Sequence, residues 1–468
     1  MVSSSVGQKS LIAPMIVACA MFMESVDENV ILTALPTMAR DFGHDVVTLK
    51  VAVTSYAVGL GAFIPACGWL ADRFGARTVF RSAIGIFVVG SLLCAAANSL
   101  ITFALARFVQ GVGGAMMVPV GRIIIFRVVQ RADIIRAMNY LTIPAIVGPA
   151  AGPLLGGLIT TYSHWRLVFL VNVPISILGI CLTNRHIANT CEPHPGRLDW
   201  TGFFLSGAGA ALLLLGLSLI GCEIVSNRDA FCMGVMGAVL LAGYVVHERR
   251  VPLPLLDLHF FHIPTFRASV LGGSLFRIGL GALPFLLSLM LQEGYGMSAF
   301  ESGLVTCASA FGAVFTRTVA PRMLRRYGFR SVLVANAALS GVSVAAHGLF
   351  FPCTPTWIIW VVVLLGGFFP ALQLTTLNSL TYAEIASRDV GRATSLGSAV
   401  HRMSLSLSVT IGGIILQISR AANGHASLMW SDFWPAFLLV GLCSLASIPI
   451  TLRLPRQAGE EITRAGRI

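Results

Sequence analysis

Glu24, Asp27 and Glu28 are the residues of this chain best placed to do chemistry. Of the 20 Asp and Glu, only these three sit well inside a long apolar run, and at i, i+3 and i+4 a helix carries them on one face. Acids crowded together away from water cannot all ionise cheaply, so at least one proton should be held there and exchanged near neutral pH. The chemistry on offer is the loading and release of a proton. A second, basic set lies far along the chain. Arg277 and the pair His401 and Arg402 each fall about ten residues into an apolar run, which at about 1.5 Å per residue puts them near the middle of a bilayer. An Arg at that depth needs an acid, a carbonyl or a ligand. These residues therefore either neutralise the acids of the first run or grip an anionic substrate.

Such groups need elements that can hold them inside a membrane. The chain has 468 residues, is 56% hydrophobic and only 11% charged, and has a mean hydropathy of +0.82. A soluble chain carries about 25% charged residues, and a disordered one is poor in large aliphatic side chains. Both classes are excluded. About 20 apolar residues cross a bilayer as a helix. Apolar runs bounded by charges, Pro or Gly predict six spans near 11–35, 50–70, 79–97, 101–126, 138–160 and 165–183. Two more are predicted near 200–220 and 231–247, then six near 266–291, 302–320, 331–350, 356–378, 395–419 and 433–452. The expected fold is an all-α integral membrane protein with 14 transmembrane helices, arranged six, two and six, and both termini cytoplasmic. It divides into a six-helix bundle over 1–190, two linker helices over 191–254, a second bundle over 255–452 and a cytoplasmic tail over 453–468. The apolar stretch after Lys9 runs on to Leu35 and contains acids, so it reads as a first span that is kept and not as a cleaved leader.

Charge orients this map. Of the 32 Lys and Arg, 22 fall in loops assigned to the cytoplasm, five in outer loops (Arg40, Lys50, Arg166, Arg228, Arg420) and five within spans (Arg107, Arg122, Arg277, Arg317, Arg402). That asymmetry is what the positive-inside rule predicts, and one miscounted span would scramble it. Membrane topology thus accounts for the net charge of +12 without a nucleic-acid partner, since the basic residues form no single stripe. The ten cysteines show no CxxC spacing, so no metal site is expected, and Cys222 and Cys232, which flank one short outer loop, are expected as thiols. A phosphate-binding loop needs Gly-Lys, and neither Lys9 nor Lys50 follows a glycine. ATP does not drive this protein. No cofactor and no enzymatic nucleophile motif is apparent, and the partners expected are a small-molecule substrate and the bilayer, with the protein working as a monomer. An ion gradient is left as the energy source.

Motifs between and within the runs narrow the reading. Gly68-Trp-Leu-Ala-Asp72-Arg73-Phe-Gly75-Ala-Arg77 recurs in the second half as Arg325-Arg326-Tyr-Gly328-Phe-Arg330, with Arg325 where the first copy has Asp72. Related six-helix halves are a transporter signature. The first copy resembles the cytoplasmic loop motif of the major facilitator superfamily, whose Asp and Arg residues form a charge cluster at the inner gate. Arg107-Phe-Val-Gln110-Gly111-Val-Gly113-Gly114 with Pro119 looks like the fourth-helix motif of its proton-coupled members. Gly148-Pro149-Ala-Ala-Gly152-Pro153-Leu-Leu-Gly156-Gly157 resembles the antiporter motif, and it supplies small residues at four-residue spacing for close helix packing. With Trp165-Arg166-Leu-Val-Phe169-Leu-Val-Asn172-Val-Pro174, the set resembles the fourteen-helix drug:proton antiporter family, in particular its MdtD-like transporters. The first helix lacks that family's usual Asn and has Leu32 instead.

The resemblance implies two bundles rocking around a midplane cavity in a bacterial inner membrane, and proton-coupled efflux of amphipathic drugs. It implies that Asp27, which falls on the family's first-helix Asp, and Arg107 serve proton coupling together with Glu24 and Glu28. One proton moved inward yields about 2.3 kcal/mol per 100 mV, enough to hold a concentration ratio of roughly fifty for one neutral substrate. Export of an anionic metabolite such as a carboxylate or siderophore is the alternative, motivated by Arg277 and Arg402. Reporter fusions should place residues 40–50, 164 and 223–230 outside, and 72–77, 127–136, 185–197, 249–262 and 322–330 inside. An external reporter after Arg197 would break the map, because the side of every later loop depends on that parity.

Overall fold

The computed structural model describes residues 3–128, 134–189, 191, 198–222, 224–251, 254–381, 384–385 and 390–455, with backbone only at 3–11, 126, 134–146 and 390–391. Away from water a backbone amide must find its partner within its own segment, so apolar runs of this length become helices. Among the described residues there is no strand. Eleven helices among them are long and apolar enough to cross a membrane, and the chain forms two compact units.

The first unit spans Met1–Leu219 and Ile224–Leu255. It comprises α1 (Ser3–Phe42), α2 (Lys50–Phe63), α3 (Cys67–Phe74), α4 (Ala76–Ala96), α5 (Leu100–Val128), α6 (Ile134–Tyr162), the short α7 (Leu167–Leu170), α8 (Asn172–His186), α9 (Trp200–Leu219) and α10 (Asn227–Glu248). Helix α1 runs beyond the predicted end of the first span and contains Pro14 and Pro36. Packing against neighbouring helices re-satisfies backbone groups that such prolines free. Lys50, counted with an outer loop at the start of the span predicted near 50–70, is the first residue of α2 and fully buried.

Glycine stripes set the close packing of this unit. On α6, Gly148, Gly152 and Gly156 face Ser25, Asn29 and Thr33 of α1, so two rows with the same four-residue spacing interlock. A Cβ at Gly152 would come within 2.6 Å of the Asn29 Cβ and 3.0 Å of the Val26 carbonyl, and one at Gly156 would strike the Val30 carbonyl and the Thr33 hydroxyl. The Thr33 hydroxyl donates to the Pro153 carbonyl at 3.4 Å. The linker helices use the same device. Gly216 of α9 lies against Gly234 of α10, Gly237 of α10 against Gly209 of α9, and α9 packs on α2.

The second unit spans Ile220–Glu223 and Leu256–Ile468. It comprises α11 (Pro264–Arg267), α12 (Gly273–Gly281), α13 (Leu283–Leu289), α14 (Ala299–Ala346), α15 (Thr356–Thr381), α16 (Val390–Ala422), α17 (Trp434–Ala446) and α18 (Ile448–Leu452). Segments with π-helical bonding, Ala268–Gly272 and Met290–Gly294, bracket α12 and α13. The runs near 302–320 and 331–350, read from sequence as two spans, are two helical stretches within α14 that meet at a kink, where Gly328 has φ +74° and ψ 164°. Gly75, between α3 and α4, has φ +86° and ψ 138°. Only a residue without Cβ enters that region cheaply, so the sequence repeat is a repeat of one backbone turn. Buried amides brace this unit: Asn336 donates to Gln373 at 3.1 Å and to the Phe369 carbonyl at 2.7 Å, while Gln373 donates to the Leu333 carbonyl at 3.1 Å.

All ten cysteines are free, Cys222 and Cys232 included. No group of His, Cys, Asp and Glu among the described residues could hold a metal. Of the predicted tail, 456–468 lies outside the described residues. Gly156→Val should lower stability by about 1–3 kcal/mol, the usual cost of overpacking, because the new side chain meets backbone. Gly85→Ala, with nothing within 4 Å of its Cβ, should be neutral or mildly stabilising. Thermal denaturation of the two purified variants checks the contrast, and equal melting temperatures would contradict it.

Candidate functional site

Asp27 of α1 sits in a ring of three polar donors. Its Oδ2 accepts from Arg107 Nη1 at 2.7 Å, and its Oδ1 accepts from Gln110 Nε2 at 2.9 Å and Asn172 Nδ2 at 2.6 Å. Gln110 and Asn172 also donate to the Ser91 hydroxyl, at 2.8 and 3.3 Å. Arg107 donates to Gln110 Oε1 at 2.6 Å, so that amide is engaged at both ends. Asp27 and Arg107 are each 1% exposed.

The positions follow from helix geometry. Arg107 and Gln110 stand three apart on α5 and share a face, Ser91 comes from α4 and Asn172 opens α8. Helices must come close for groups this short to meet. Gly90 of α4 lies against the Gln110 backbone, Gly111 of α5 against the Tyr56 carbonyl, and Gly113 against Phe87. Gly114 leaves room for the Tyr56 hydroxyl, and the Tyr56 ring sits 4.4 Å below the Arg107 guanidinium as a cation–π partner. The glycines read from sequence as motif residues therefore let α2, α4 and α5 converge on one charge pair.

Glu24 is buried on the same helix, and Glu28 is half-buried. The spacing argument put all three acids on a par, whereas the structure seats Asp27 alone against Arg107, Gln110 and Asn172. Sequence reasoning quoted Gln110 and Asn172 within motifs but gave neither a role of its own, and it did not single out Ser91 or Tyr56. Its available signal was the rarity of an amide within an apolar run.

The loop motif has a different partner from the one expected. Asp72, in the last turn of α3, pairs with Arg127 Nη2 of α5 at 2.6 Å, and not with Arg73 or Arg77. Arg73 is exposed, while Arg77 donates to the Ile187 carbonyl at 3.4 Å. Gly75 is fitted against Asn189, which accepts from the Thr78 amide and donates to the Phe74 carbonyl. Gly68 has open space where its Cβ would be. The α3–α4 turn is thus held by residues beyond α8 and at the end of α5, which lie 55 to 117 positions away in sequence and were unmarked there.

In the second unit, Arg277 of α12 is 5% exposed and donates through Nη2 to Asn378 Oδ1 at 3.2 Å. Arg277 and Arg402 lie within electrostatic reach of His401. The structure therefore gathers the three basic residues read from sequence into one cluster of α12 and α16. Pro149 and Pro153 lie on α6 within the glycine stripe.

The sequence model of the Major Facilitator Superfamily matches residues 17–247 and 269–467. A relative from Salmonella heidelberg named MdtD, for multidrug resistance, is 36% identical over 442 residues, covering 93% of this chain and 92% of that protein. A relative of the same name from Salmonella paratyphi A matches equally. Among solved structures, a D-xylose-proton symporter superposes with a TM-score of 0.68 at 13% identity, over 96% of this chain and 98% of that one. The nucleoside transporter NupG superposes with a TM-score of 0.58 at 14% identity, over 95% and 100%. At such identities the two structures speak for the fold alone.

The side chain of Asp72 is 41% exposed and that of Arg127 21%, and ion pairs so wetted contribute less than about 1 kcal/mol. Asp72→Asn should accordingly leave the melting temperature close to that of the parent protein. A loss as large as that of Gly156→Val would make the pair a structural brace.

Proposed function

The chain belongs to the major facilitator superfamily, and from that premise we propose that it exports amphipathic drugs or other toxic small molecules in exchange for protons across a bacterial inner membrane. The observation that carries the reading is the Asp27–Arg107 pair, a charge pair with almost no exposure in a chain that is otherwise apolar. Ionisable groups are expensive inside a membrane and are kept there for function. The relatives' name for multidrug resistance supports the choice of cargo.

Asp27 is the proton carrier in this reading, with Arg107 its counter-charge and Glu24 and Glu28 beside it on α1. A proton on Asp27 cancels one charge of the pair and leaves Arg107 held by Gln110 Oε1 and the Tyr56 ring. The unit then has two charge states with different internal balance, and a ligand or ion that prefers one state shifts the other. Gly148, Gly152 and Gly156 keep α1 seated on α6 while that happens, and the turn bearing Gly68, Asp72, Arg73, Gly75 and Arg77 serves as the inner gate. We assign 14 spans, arranged six, two and six: bundles over 1–190 and 255–452, linker helices over 191–254, a tail from 453, and both termini in the cytoplasm. The α14 kink at Gly328 supports counting that helix as two spans. The proton gradient takes the place of a cofactor.

The cluster of Arg277, His401 and Arg402 favours a second reading, in which the cargo is an anion such as a carboxylate or siderophore. Inverted vesicles loaded against amphipathic cations and, in parallel, labelled organic acids separate the two cargoes. In proteoliposomes under an imposed pH gradient, Asp27→Asn should abolish substrate-linked proton movement at least tenfold while sparing substrate binding, since the amide keeps the shape of the protonated acid but releases no proton. Full coupling in that variant would move the proton site to Glu24, Glu28 or His401.

A further inference from the structure

We propose that Asn172 is a positioning residue of the proton site, which holds the Asp27 carboxylate ionised and ties the charge state of α1 to the seating of α8. This inference rests on Asp27 being the proton carrier. Three donors reach that carboxylate, and two of them, Arg107 and Gln110, stand on one face of α5. Asn172 is the third and arrives from α8, 145 positions along the chain, with the shortest of the three bonds at 2.6 Å. Its amide nitrogen is shared with the Ser91 hydroxyl at 3.3 Å. An N–H that donates to a carboxylate favours the charged form over the protonated one. Loading a proton on Asp27 therefore weakens the clamp between α1 and α8.

The segment before Asn172 fixes its aim. Trp165 Nε1 and Arg166 Nη1 both donate to Asp41 Oδ2 at the end of α1, at 2.9 and 3.1 Å, and Arg166 Nη2 donates to the Ala97 carbonyl at the end of α4 at 2.9 Å. The Trp165 ring packs edge-on against Phe42, Phe103 and Phe169. Trp165 and Arg166 so pin the start of α7 to α1 and α4, and one further turn of chain delivers Asn172 to the carboxylate. The motif from Trp165 to Pro174 thereby acquires a physical purpose, which is to present one amide to a buried acid.

The charged and titratable groups facing Asp27 are Arg107 on α5, Cys94 on α4 and Tyr56 on α2, with Glu24 and Glu28 on its own helix. Among the described side chains, α6 presents glycines to α1, α7 is apolar, and Arg185 and His186 of α8 stand in its last turn, at the opposite end from Asn172. None of these groups is altered by a substitution at Asn172.

Infrared difference spectra of the purified protein, recorded across a pH titration, read the carbonyl band of a protonated carboxylic acid without any substrate. The band that Asp27→Asn removes reports Asp27. In Asn172→Ala and in the volume-keeping Asn172→Leu, the midpoint of that band should move to higher pH by about one unit, a tenfold gain in proton affinity, which is the scale of a lost hydrogen bond to a charged group. A midpoint that stays in place in both variants, while Asp27→Asn does remove the band, overturns the inference and leaves the carrier reading standing. If Asp27→Asn removes no titrating band, the carrier reading fails and the role of Asn172 with it.

Discussion

A buried charge pair sets the terms for the first unit. Removing a carboxylate and a guanidinium from water costs several kcal/mol per ion, and Coulomb attraction repays that only with near-ideal geometry and satisfied lone pairs. Asp27 meets the condition by accepting from Arg107, Gln110 and Asn172; Arg107 adds Gln110 Oε1 and the Tyr56 ring to its contacts, while its Nε is buried without a hydrogen-bond partner among the described residues. Four helices must be brought within the reach of short side chains to achieve it. The glycines at 90, 111, 113 and 114 permit that approach, and those at 148, 152 and 156 seat the helix that carries the acid. The small residues beside isolated polar ones in this unit let a buried pair find its partners on neighbouring helices.

The second unit shows a brace of a different kind. Asn336 and Gln373 cross-link α14 and α15 through neutral amides, which carry no comparable desolvation cost. Gly441 and Gly341 bring α17 and α14 together backbone to backbone, the carbonyl of Gly341 lying 2.6 Å from a Cβ built at Gly441. Within its apolar runs, Arg277 and Arg402 lie within electrostatic reach of His401. The two units thus differ chemically, one carrying a buried acid and base in contact, the other a brace of neutral amides.

The turn repeated in both halves shows the same division at small scale. Gly75 and Gly328 hold the same left-handed backbone region, so the turn itself is common to both. The side chains are not, since Asp72 with its Arg127 partner has Arg325 as its counterpart. Backbone geometry is copied by placing one glycine, whereas an ion pair requires a partner on another helix. The first kind of feature survives duplication more readily than the second.

Sequence alone determined that the chain is an all-helical membrane protein, where its apolar runs lie, and which residues are unusual within them. Those conclusions depend on local composition and on periodicity, because hydropathy and helix spacing act over a few turns. Asp27 and Arg277 were legible on that basis, while Arg107 and the antiporter-motif glycines stood out through the family resemblance of their motifs. Tertiary structure decided who meets whom. It seated Asp27 and neither Glu24 nor Glu28 against Arg107, gave Asp72 to Arg127, buried Lys50, set the turn at Gly328, and brought Asn172 to a carboxylate 145 residues away with Ser91 beside it as an acceptor for Asn172 and Gln110. Such pairings turn on how helices are rotated and set against one another. The cost of leaving a buried polar group unmatched selects one rotation among many, and that cost has no expression in the sequence until the helices are packed.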